Sequence, residues 1–258
     1  MLSTKYTTSK ELERLVGNLV WASYVEPWGR PFLSALSSKI QRRKPHALIP
    51  IIGYTKTSLV IWQSLLKFNR GITYNHILGK LESGKDAWFV DASTSWGIGG
   101  CAGYFYFMIE NEQLRQIFAF YREGTQKELM DIPLQRLPIA YIKLIAALVG
   151  ISVFSKFQPN KLINLYTDNT DVVAWLRKGR CSAGLGFKLL AAVEFFKRKH
   201  ALKISVKHIP GSQNNSADEL SRGSVPTWLK LRGTRLGVDI HTLTRLVKNP
   251  LCLWEQCD

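Results

Sequence analysis

The sequence predicts an α/β protein in which a mixed sheet of five strands is flanked by helices and a small helical module comes first. Three observations predict this class. Apolar residues make up 46% of the 258 residues, which is enough for a sizeable core. Their spacing is helical in the first part of the chain and then changes to short strand-like runs that alternate with helices. The resulting order, βββαβααβ, is typical of a mixed sheet with helices on both faces.

The N-terminal module is predicted to be helical. From Ser9 to Leu36 apolar residues recur at helical spacing, and Pro27 and Pro31 divide this stretch into two helices. Another helix is predicted over residues 59–68. Glycines interrupt the helical spacing after it, so we place the end of this helical module, residues 1–84, there.

The sheet and its helices are predicted within residues 85–223. The first three strands form a meander with a Gly-rich turn after the first, and Pro138 opens a long apolar helix that continues to Phe154. A tail of residues 224–258 has the spacing for one or two short helices. The predicted strands are Ala87–Val90, Cys101–Ile109, Gln116–Tyr121, Lys161–Thr167 and Lys203–His208, and the other predicted helices are Thr170–Arg177, Leu185–Lys199 and one from Asn215.

The charge balance narrows the classes of partner. Lys and Arg number 35 against 19 Asp and Glu, and the net charge of +16 is spread along the whole chain. This excess favours nucleic acid before membrane, because no single helix or tail concentrates it and no apolar run approaches the roughly 18 residues of a membrane span. The four cysteines show no zinc spacing, and the N terminus has no secretory apolar region. We therefore expect an intracellular protein, in the nucleus, the cytoplasm or an organelle.

Clusters of basic residues are candidates for contacts to nucleic-acid phosphates. Such contacts need Lys and Arg but no base-reading module, and no zinc finger or similar module is recognisable in the sequence. A solvated surface explains the same charges about equally well. The candidates are Lys188, Lys197, Arg198, Lys199, Lys207, Arg42, Arg43 and Lys44.

Three aspartates stand where predicted strands end or a helix begins. Asp91 follows the first strand in WFVDAS, Asp168 follows the fourth in LYTDNT, and Asp218 comes after His208 in KHIPGSQNNSADELSR. Carboxylates at the carboxyl ends of adjacent strands converge, and they repel unless a hard cation such as Mg²⁺ neutralises them. This layout suits two-metal phosphodiester chemistry, although each aspartate taken singly is more often a turn or N-cap residue.

Three segments in combination resemble the RNase H domain of retroelement reverse transcriptases, particularly those of DIRS-like and gypsy-like elements. They are VDAS with the Gly-rich meander behind it, YTDNTDVVAWLRKG, and HIPGSQNNSADELSR. Two segments upstream, LVGNLVWASYVEPWGRPFLSAL and VIWQSLLKF, resemble the thumb or connection segment of those enzymes. The resemblance implies that Asp91, Asp168 and Asp218 are catalytic, Mg²⁺-binding aspartates. It also implies that His208 is a mobile histidine that assists product release.

Lys143 is a departure from the family pattern. The family carries a catalytic Glu on its first long helix in a pattern such as L-E-L-x-A, and the corresponding segment here reads IKLIA. At helical spacing after Lys143 comes a stripe of small side chains that allows the helix to approach the sheet: Ala146, Ala147 and Gly150. We therefore expect its ammonium to pair with Asp91 and Asp168 without closing a metal shell. The other interpretation is a different register, in which an acid such as Glu128 serves.

The sequence favours a catalytically inactive RNase H-like protein that is derived from a retroelement reverse transcriptase and needs no cofactor. We expect it to bind RNA or an RNA/DNA hybrid, or to serve as a folded subunit of a ribonucleoprotein assembly. The alternative is an active Mg²⁺-dependent ribonuclease H that cleaves the RNA of RNA/DNA hybrids. A third hypothesis is the downstream fragment of a decayed element without function.

Overall fold

A computed structural model describes most of the chain. Within the described residues, no helix is both long enough and apolar enough to cross a membrane. Arg42 and Glu128, which the sequence singled out, lie outside them. The described residues are 4–41, 43–68, 83–93, 97–104, 117–123, 137–156, 162–181, 184–225 and 233–254.

The N-terminal module contains three helices and a small sheet. The two strands of this sheet, β1 (Tyr6–Thr8) and β2 (Leu48–Pro50), pair antiparallel. The helices are α1 (Ser9–Ala22), α2 (Arg30–Ile40) and α3 (Gly53–Lys67), with a 3₁₀ turn at Pro27–Gly29. The helices are where the apolar spacing and the two prolines predict them, whereas strands of three residues are too short to show a period.

A second, mixed sheet forms the centre of the molecule. Its strands are β3 (Ser83–Ala92), β4 (Gly97–Tyr104), β5 (Ile117–Glu123), β6 (Leu162–Thr167), β7 (Lys203–His208) and β8 (Gly233–Arg235). Their order in the sheet is β7-β6-β3-β4-β5-β8, and β4 pairs antiparallel with both β3 and β5 to form a meander. β6 pairs parallel with β3, β7 parallel with β6, and β8 parallel with β5.

Helices cover both faces of this sheet. They are α4 (Ile139–Phe154), α5 (Thr170–Lys178), α6 (Gly184–Lys199), α7 (Asn215–Ser221), α8 (Ile240–Lys248) and α9 (Leu251–Trp254). α4 packs on β3 and β4, and α6 packs behind α4, whereas α7 lies against β4 and β3. The short α8 packs on α6. The predicted α/β class with helices on both faces is confirmed.

Two details of the sheet differ from the prediction. It has a sixth strand, β8, which is only three residues long. The second strand starts at Gly97 rather than Cys101, because the glycines we assigned to a turn belong to the strand. A side chain at Gly99 would collide with Leu220 of α7, and one at Gly100 would collide with Phe120, so glycine is needed here for close packing on both faces.

The N-terminal helices share a core with the rest of the chain. Trp254 of α9 is fully buried, with its ring edge-on to Phe32 of α2 at 5.7 Å and to Phe195 of α6 at 5.9 Å between centroids. Arg198 donates a hydrogen bond of 2.8 Å to the carbonyl of Phe68 at the end of α3, and its guanidinium lies over the Trp254 ring. The division into residues 1–84, 85–223 and 224–258 stays a prediction, and these contacts join all three parts.

Candidate functional site

The candidate site lies at one edge of the central sheet, where β3 and β6 end. Asp91 is the second-last residue of β3, where it pairs with Gly99 of β4. Asp168 directly follows Thr167, the last residue of β6. β3 and β6 run parallel and in register, with Phe89 beside Tyr166. The parallel pairing therefore brings the two aspartates to the same edge.

The ammonium of Lys143 lies between these two carboxylates. Its Nζ donates to both Oδ1 and Oδ2 of Asp168 at 2.5 Å and is 2.9 Å from Oδ1 of Asp91. The side chain of Asp91 is 4% exposed and that of Lys143 is 13% exposed, so the ion pair is largely withdrawn from water. In such surroundings the paired charges interact more strongly than in water, and removing either one leaves its partner uncompensated.

Burial and neighbouring charges shift the pKa values of Asp91 and Lys143. Burial raises the pKa of Asp91 to about 6, although the hydrogen bond and charge of Lys143 oppose the rise. Burial lowers the pKa of Lys143, but its hydrogen bonds to Asp168 and Asp91 outweigh this, and the net shift is upward. Lys143 is therefore cationic at neutral pH and acts as the fixed counterion of the two aspartates.

The small side chains behind Lys143 explain how it reaches the aspartates. Ala146 and Ala147 are fully buried. A side chain at Gly150 would press on Val90 of β3, so α4 lies close against the strand that carries Asp91. Lys143 stands near the N-terminal end of α4, and its long side chain spans the remaining gap to the strand ends.

Asp218, the third predicted aspartate, has a different partner. It lies in α7, and Arg222 one turn later holds it with hydrogen bonds of 2.9–3.0 Å to both oxygens. These hydrogen bonds hold the pKa of Asp218 below its usual value, with smaller contributions from Asp91 and Lys143. Asp218 is therefore near the cluster but is already neutralised by Arg222.

His208 and Lys207 lie at the same edge of the sheet, because β7 runs parallel to β6. His208 pairs with Thr167 in the ladder, and its side chain is exposed. Lys207 pairs with Tyr166, and its ammonium lies 5.8 Å above that ring. Both residues can reach a ligand that approaches the ends of the strands.

Two residues of this region were not singled out by the sequence. Asn214 is buried, and its Nδ2 donates 3.2 Å to the carbonyl of Val90, next to Asp91, which anchors the start of α7 to β3. Arg222 neutralises Asp218. The spacing of four between Asp218 and Arg222 was a readable signal of a helical ion pair, whereas nothing local distinguishes Asn214 from the polar residues around it.

The arrangement does not fit a magnesium centre. Within the part of the chain that the structure describes, no three His, Cys, Asp or Glu side chains come together in a way that could hold a metal ion. The point between Asp91 and Asp168 is taken by an ammonium, whose charge would repel a divalent cation. The carboxylates of Asp168 and Asp218 have side-chain donors within the protein, and the charge of Asp91 is balanced by Lys143.

Comparisons with known proteins bear on the fold only. No family model matches the sequence, and no curated protein matches it significantly. Three solved structures are similar to part of the chain. RNase H1 from the halophilic archaeon Halobacterium salinarum NRC-1 is 11% identical, with a TM-score of 0.37, over 54% of this chain and 94% of that one. LC11-RNase H1 in complex with an RNA/DNA hybrid is 12% identical, with a TM-score of 0.40, over 56% and 99%.

The third structure is the N-terminal RNase H domain of a Mycobacterium tuberculosis protein fused to maltose-binding protein. It is 13% identical, with a TM-score of 0.36, over 54% of this chain and 91% of that one. The topology itself decides the fold: an antiparallel meander of three strands, followed by two strands added parallel beside the first. The fold is RNase H-like. The sixth strand, β8, is an addition at the far edge of the RNase H-like sheet.

The basic candidates lie on several different elements of the molecule. Lys197 donates to Glu194 at 2.6 Å, and Arg198 donates to the Phe68 carbonyl and lies over the Trp254 ring, so these two side chains already have partners within the protein. The role of the candidates in binding nucleic acid stays a prediction. Lys199, Arg43 and Lys44 are exposed and Lys188 is half-buried. Of the candidates that the structure describes, Lys207 stands at the edge with the aspartates.

Proposed function

We propose that this chain is a nucleic-acid-binding protein with an RNase H-like fold that does not hydrolyse its ligand. Its ligand is structured RNA or an RNA/DNA hybrid, held through backbone phosphates. We further propose that it descends from a retroelement reverse transcriptase and serves as a subunit of a ribonucleoprotein assembly. The retroelement origin rests on the three sequence segments described above.

One observation carries the proposed inactivity. Lys143 Nζ lies within 2.9 Å of both Asp91 and Asp168, where it supplies the positive charge that a metal ion would otherwise supply. In the family that the sequence resembles, the corresponding helix position holds a Glu that binds metal. An ammonium at this point compensates the aspartates and removes a metal ligand at the same time.

The net charge supports the proposed ligand. A charge of +16 on 258 residues attracts polyanions. At the edge that carries the aspartates, Lys207 adds a cation, and the side chain of Arg222 is 61% exposed although it is paired with Asp218. Lys143 reduces the negative charge that the aspartates alone would present to a phosphate backbone. The edge is thereby suited to hold phosphates without cutting them.

The alternative is an active Mg²⁺-dependent ribonuclease H, in which Asp91, Asp168 and Asp218 hold the metal. The convergence of Asp91 and Asp168 at adjacent strand ends favours it. It requires that Mg²⁺ displace the ammonium of Lys143 and that Asp218 leave Arg222. Hydrolysis of a labelled hybrid separates the two hypotheses.

The experiment measures cleavage of a fluorescent RNA/DNA hybrid in millimolar Mg²⁺. We expect no cleavage by the wild type, since loss of one metal contact costs roughly two to four orders of magnitude in rate. Lys143→Glu should create Mg²⁺-dependent cleavage, and Lys143→Glu combined with Asp91→Asn should abolish it again. Cleavage by the wild type at an ordinary rate, lost in Asp91→Asn, would establish the enzyme instead.

The proposed assembly has its own test. Purification of the native protein from its cells, followed by RNA sequencing and size determination, should recover a defined RNA or a large particle. Recovery of the protein alone as a free monomer, with no RNA above background, would contradict the ribonucleoprotein role.

A further inference from the structure

A cavity lies at the edge of the central sheet opposite to the aspartates. Its volume is about 410 Å³, and it is lined by Lys203 and Ile204 at the start of β7 and by the segment around the Pro27–Gly29 turn. The aspartates lie where the parallel strands β3 and β6 end, and β7 has six residues. At about 3.3 Å per residue, the two places are roughly 20 Å apart. The cavity is therefore separate from the site described above.

Aromatic rings and cations lie together in the wall of this cavity. Tyr24 and Trp28 contribute the rings, and the side chain of Tyr24 is 63% exposed. The guanidinium of Arg30 lies 5.7 Å above the centre of the Tyr24 ring, so a cation stands next to an aromatic surface. Lys203, which also lines the cavity, adds a second exposed cation.

The wall also holds a buried carboxylate. Glu194 is 4% exposed and lines the cavity, and Lys197 donates to its Oε1 at 2.6 Å. A carboxylate in this place accepts hydrogen bonds from amino and imino groups of a ligand. The mixture of rings, cations and one acceptor matches a nucleotide, which has a base to stack, amino or imino groups to donate and a phosphate to pair with cations.

A helix-ending turn forms part of the cavity wall. Ala201, which lines the cavity, has a φ of 49°, in the left-handed region that favours glycine. It ends α6 with two hydrogen bonds, from its own N–H to the Arg198 carbonyl and from the N–H of Leu202 to the Lys197 carbonyl. These bonds form the motif that commonly closes helices at glycine, and they define the backbone between Lys197 and Leu202 in the cavity wall.

We propose that this cavity binds one unpaired nucleotide, with the base against Tyr24 and Trp28 and the phosphate against Arg30 and Lys203. The volume lies within the range of about 300–1,000 Å³ typical of small-ligand sites. Stacking on aromatic rings beside a cationic surface is how proteins hold single strands without reading their sequence. The source of the nucleotide is either a single strand or a free mononucleotide. The site lies apart from the proposed duplex-binding edge, and it does not depend on the proposed function.

The test is binding of a fluorescein-labelled decamer of oligocytidylate RNA to the full chain, followed by anisotropy. Tyr24→Ala should weaken binding about tenfold, which is within the effect of losing one stacked base. Tyr24→Phe should keep wild-type affinity. Tyr6→Ala is the matched control, because Tyr6 is 58% exposed and lies outside the cavity. Arg30→Ala should weaken binding, whereas Arg14→Ala, at an exposed position of α1, should leave it unchanged.

Two competitors identify the ligand. If cytidine monophosphate displaces the decamer with the affinity expected of one nucleotide, the ligand is a free nucleotide. If cytidine monophosphate does not displace the decamer, the ligand is a strand. Both results support the site when Tyr24→Ala weakens the binding measured. Equal effects of Tyr24→Ala and Tyr6→Ala would overturn the proposal, as would displacement by a decamer of glutamate as effective as that by RNA.

A parallel measurement keeps this proposal distinct from the proposed function. Tyr24→Ala should leave the affinity for an RNA/DNA hybrid duplex unchanged, because a paired base cannot enter the cavity. Decamer binding that depends on Tyr24, in a protein that binds no duplex, would sustain the cavity and reject the proposed duplex ligand at the aspartate edge. Duplex binding without Tyr24-dependent decamer binding would sustain the proposed function and reject the cavity as a nucleotide site.

Discussion

Lys143 holds Asp168 through both of its carboxylate oxygens, at 2.5 Å each, in a site where the Lys143 side chain is 13% exposed. A contact of this kind links the charge balance of the candidate site to the stability of the fold, because neither partner can be removed without leaving the other uncompensated.

Lys143→Met should destabilise the protein. It leaves Asp91 and Asp168 facing one another without a counterion, and we expect the free energy of unfolding to fall by about 1–3 kcal/mol at neutral pH. Urea denaturation measures the change, and millimolar Mg²⁺ should restore part of it. Lys156→Met, at an exposed position just beyond the same helix, is the control and should be neutral. No change in Lys143→Met, with or without Mg²⁺, would contradict the role of the ammonium.

Asp91 should make stability depend on pH. Its pKa is raised from 3.8 to about 6 in the folded protein, so folding takes up a proton between these values. The stabilising contribution is complete below about pH 4 and is lost as the pH rises through 6. Relative to Asp91→Asn, the wild type should therefore lose about 3 kcal/mol of unfolding free energy between about pH 4 and pH 7. Parallel stability curves for the two proteins would show that Asp91 is not perturbed.

Ala201→Gly should stabilise the protein. Ala201 has a positive φ at the end of α6, and glycine adopts this conformation without steric cost. We expect a gain of about 0.5–1 kcal/mol in unfolding free energy, measured by urea denaturation. The reciprocal variant is Gly179→Ala at the end of α5, where φ is 62° and a side chain would contact Pro31 at 3.0 Å. It should be destabilising, and a loss of stability in Ala201→Gly would refute the assignment.

Binding of a short RNA/DNA hybrid should weaken steeply with salt and vary little with sequence, because the proposed contacts go to phosphates. Lys207→Ala should reduce the slope of log affinity against log salt by about 1, since Lys207 stands at the edge with the aspartates. Lys10→Ala, at an exposed position of α1, is the control. Equal slopes for both variants and the wild type would place the duplex on another surface.

Periodic elements could be predicted from the sequence, and irregular ones could not. β7 was predicted over Lys203–His208 and has those bounds, and α4 begins after Pro138 and ends at Phe154 as its apolar run indicates. β4 was placed too late, because its glycines suggest a turn when read alone. The glycines are needed because of tertiary packing. α7 packs on the strand at Gly99, and Phe120 packs on the opposite side at Gly100.

The candidate site likewise has features that the sequence predicted and features that it did not. The spacing of the small residues after Lys143 is local information, and it indicated which side of α4 faces the sheet. Asn214 contacts Val90 from a distant part of the chain, and such a contact has no local signature. The cavity at Tyr24 was not predicted for the same reason, since it forms only when the Pro27–Gly29 turn packs beside α6.

The burial of Trp254 against Phe32 has a consequence for the order in which the core forms. The two side chains are far apart in the sequence, and the core under α2 is incomplete until both are present. During synthesis α2 leaves the ribosome well before Trp254 does, so its apolar face lacks this partner in the interval. Closing so long a loop is slow and leaves that face open to aggregation in the meantime. The core under α2 is therefore completed late, after Trp254 has been synthesised and has reached Phe32.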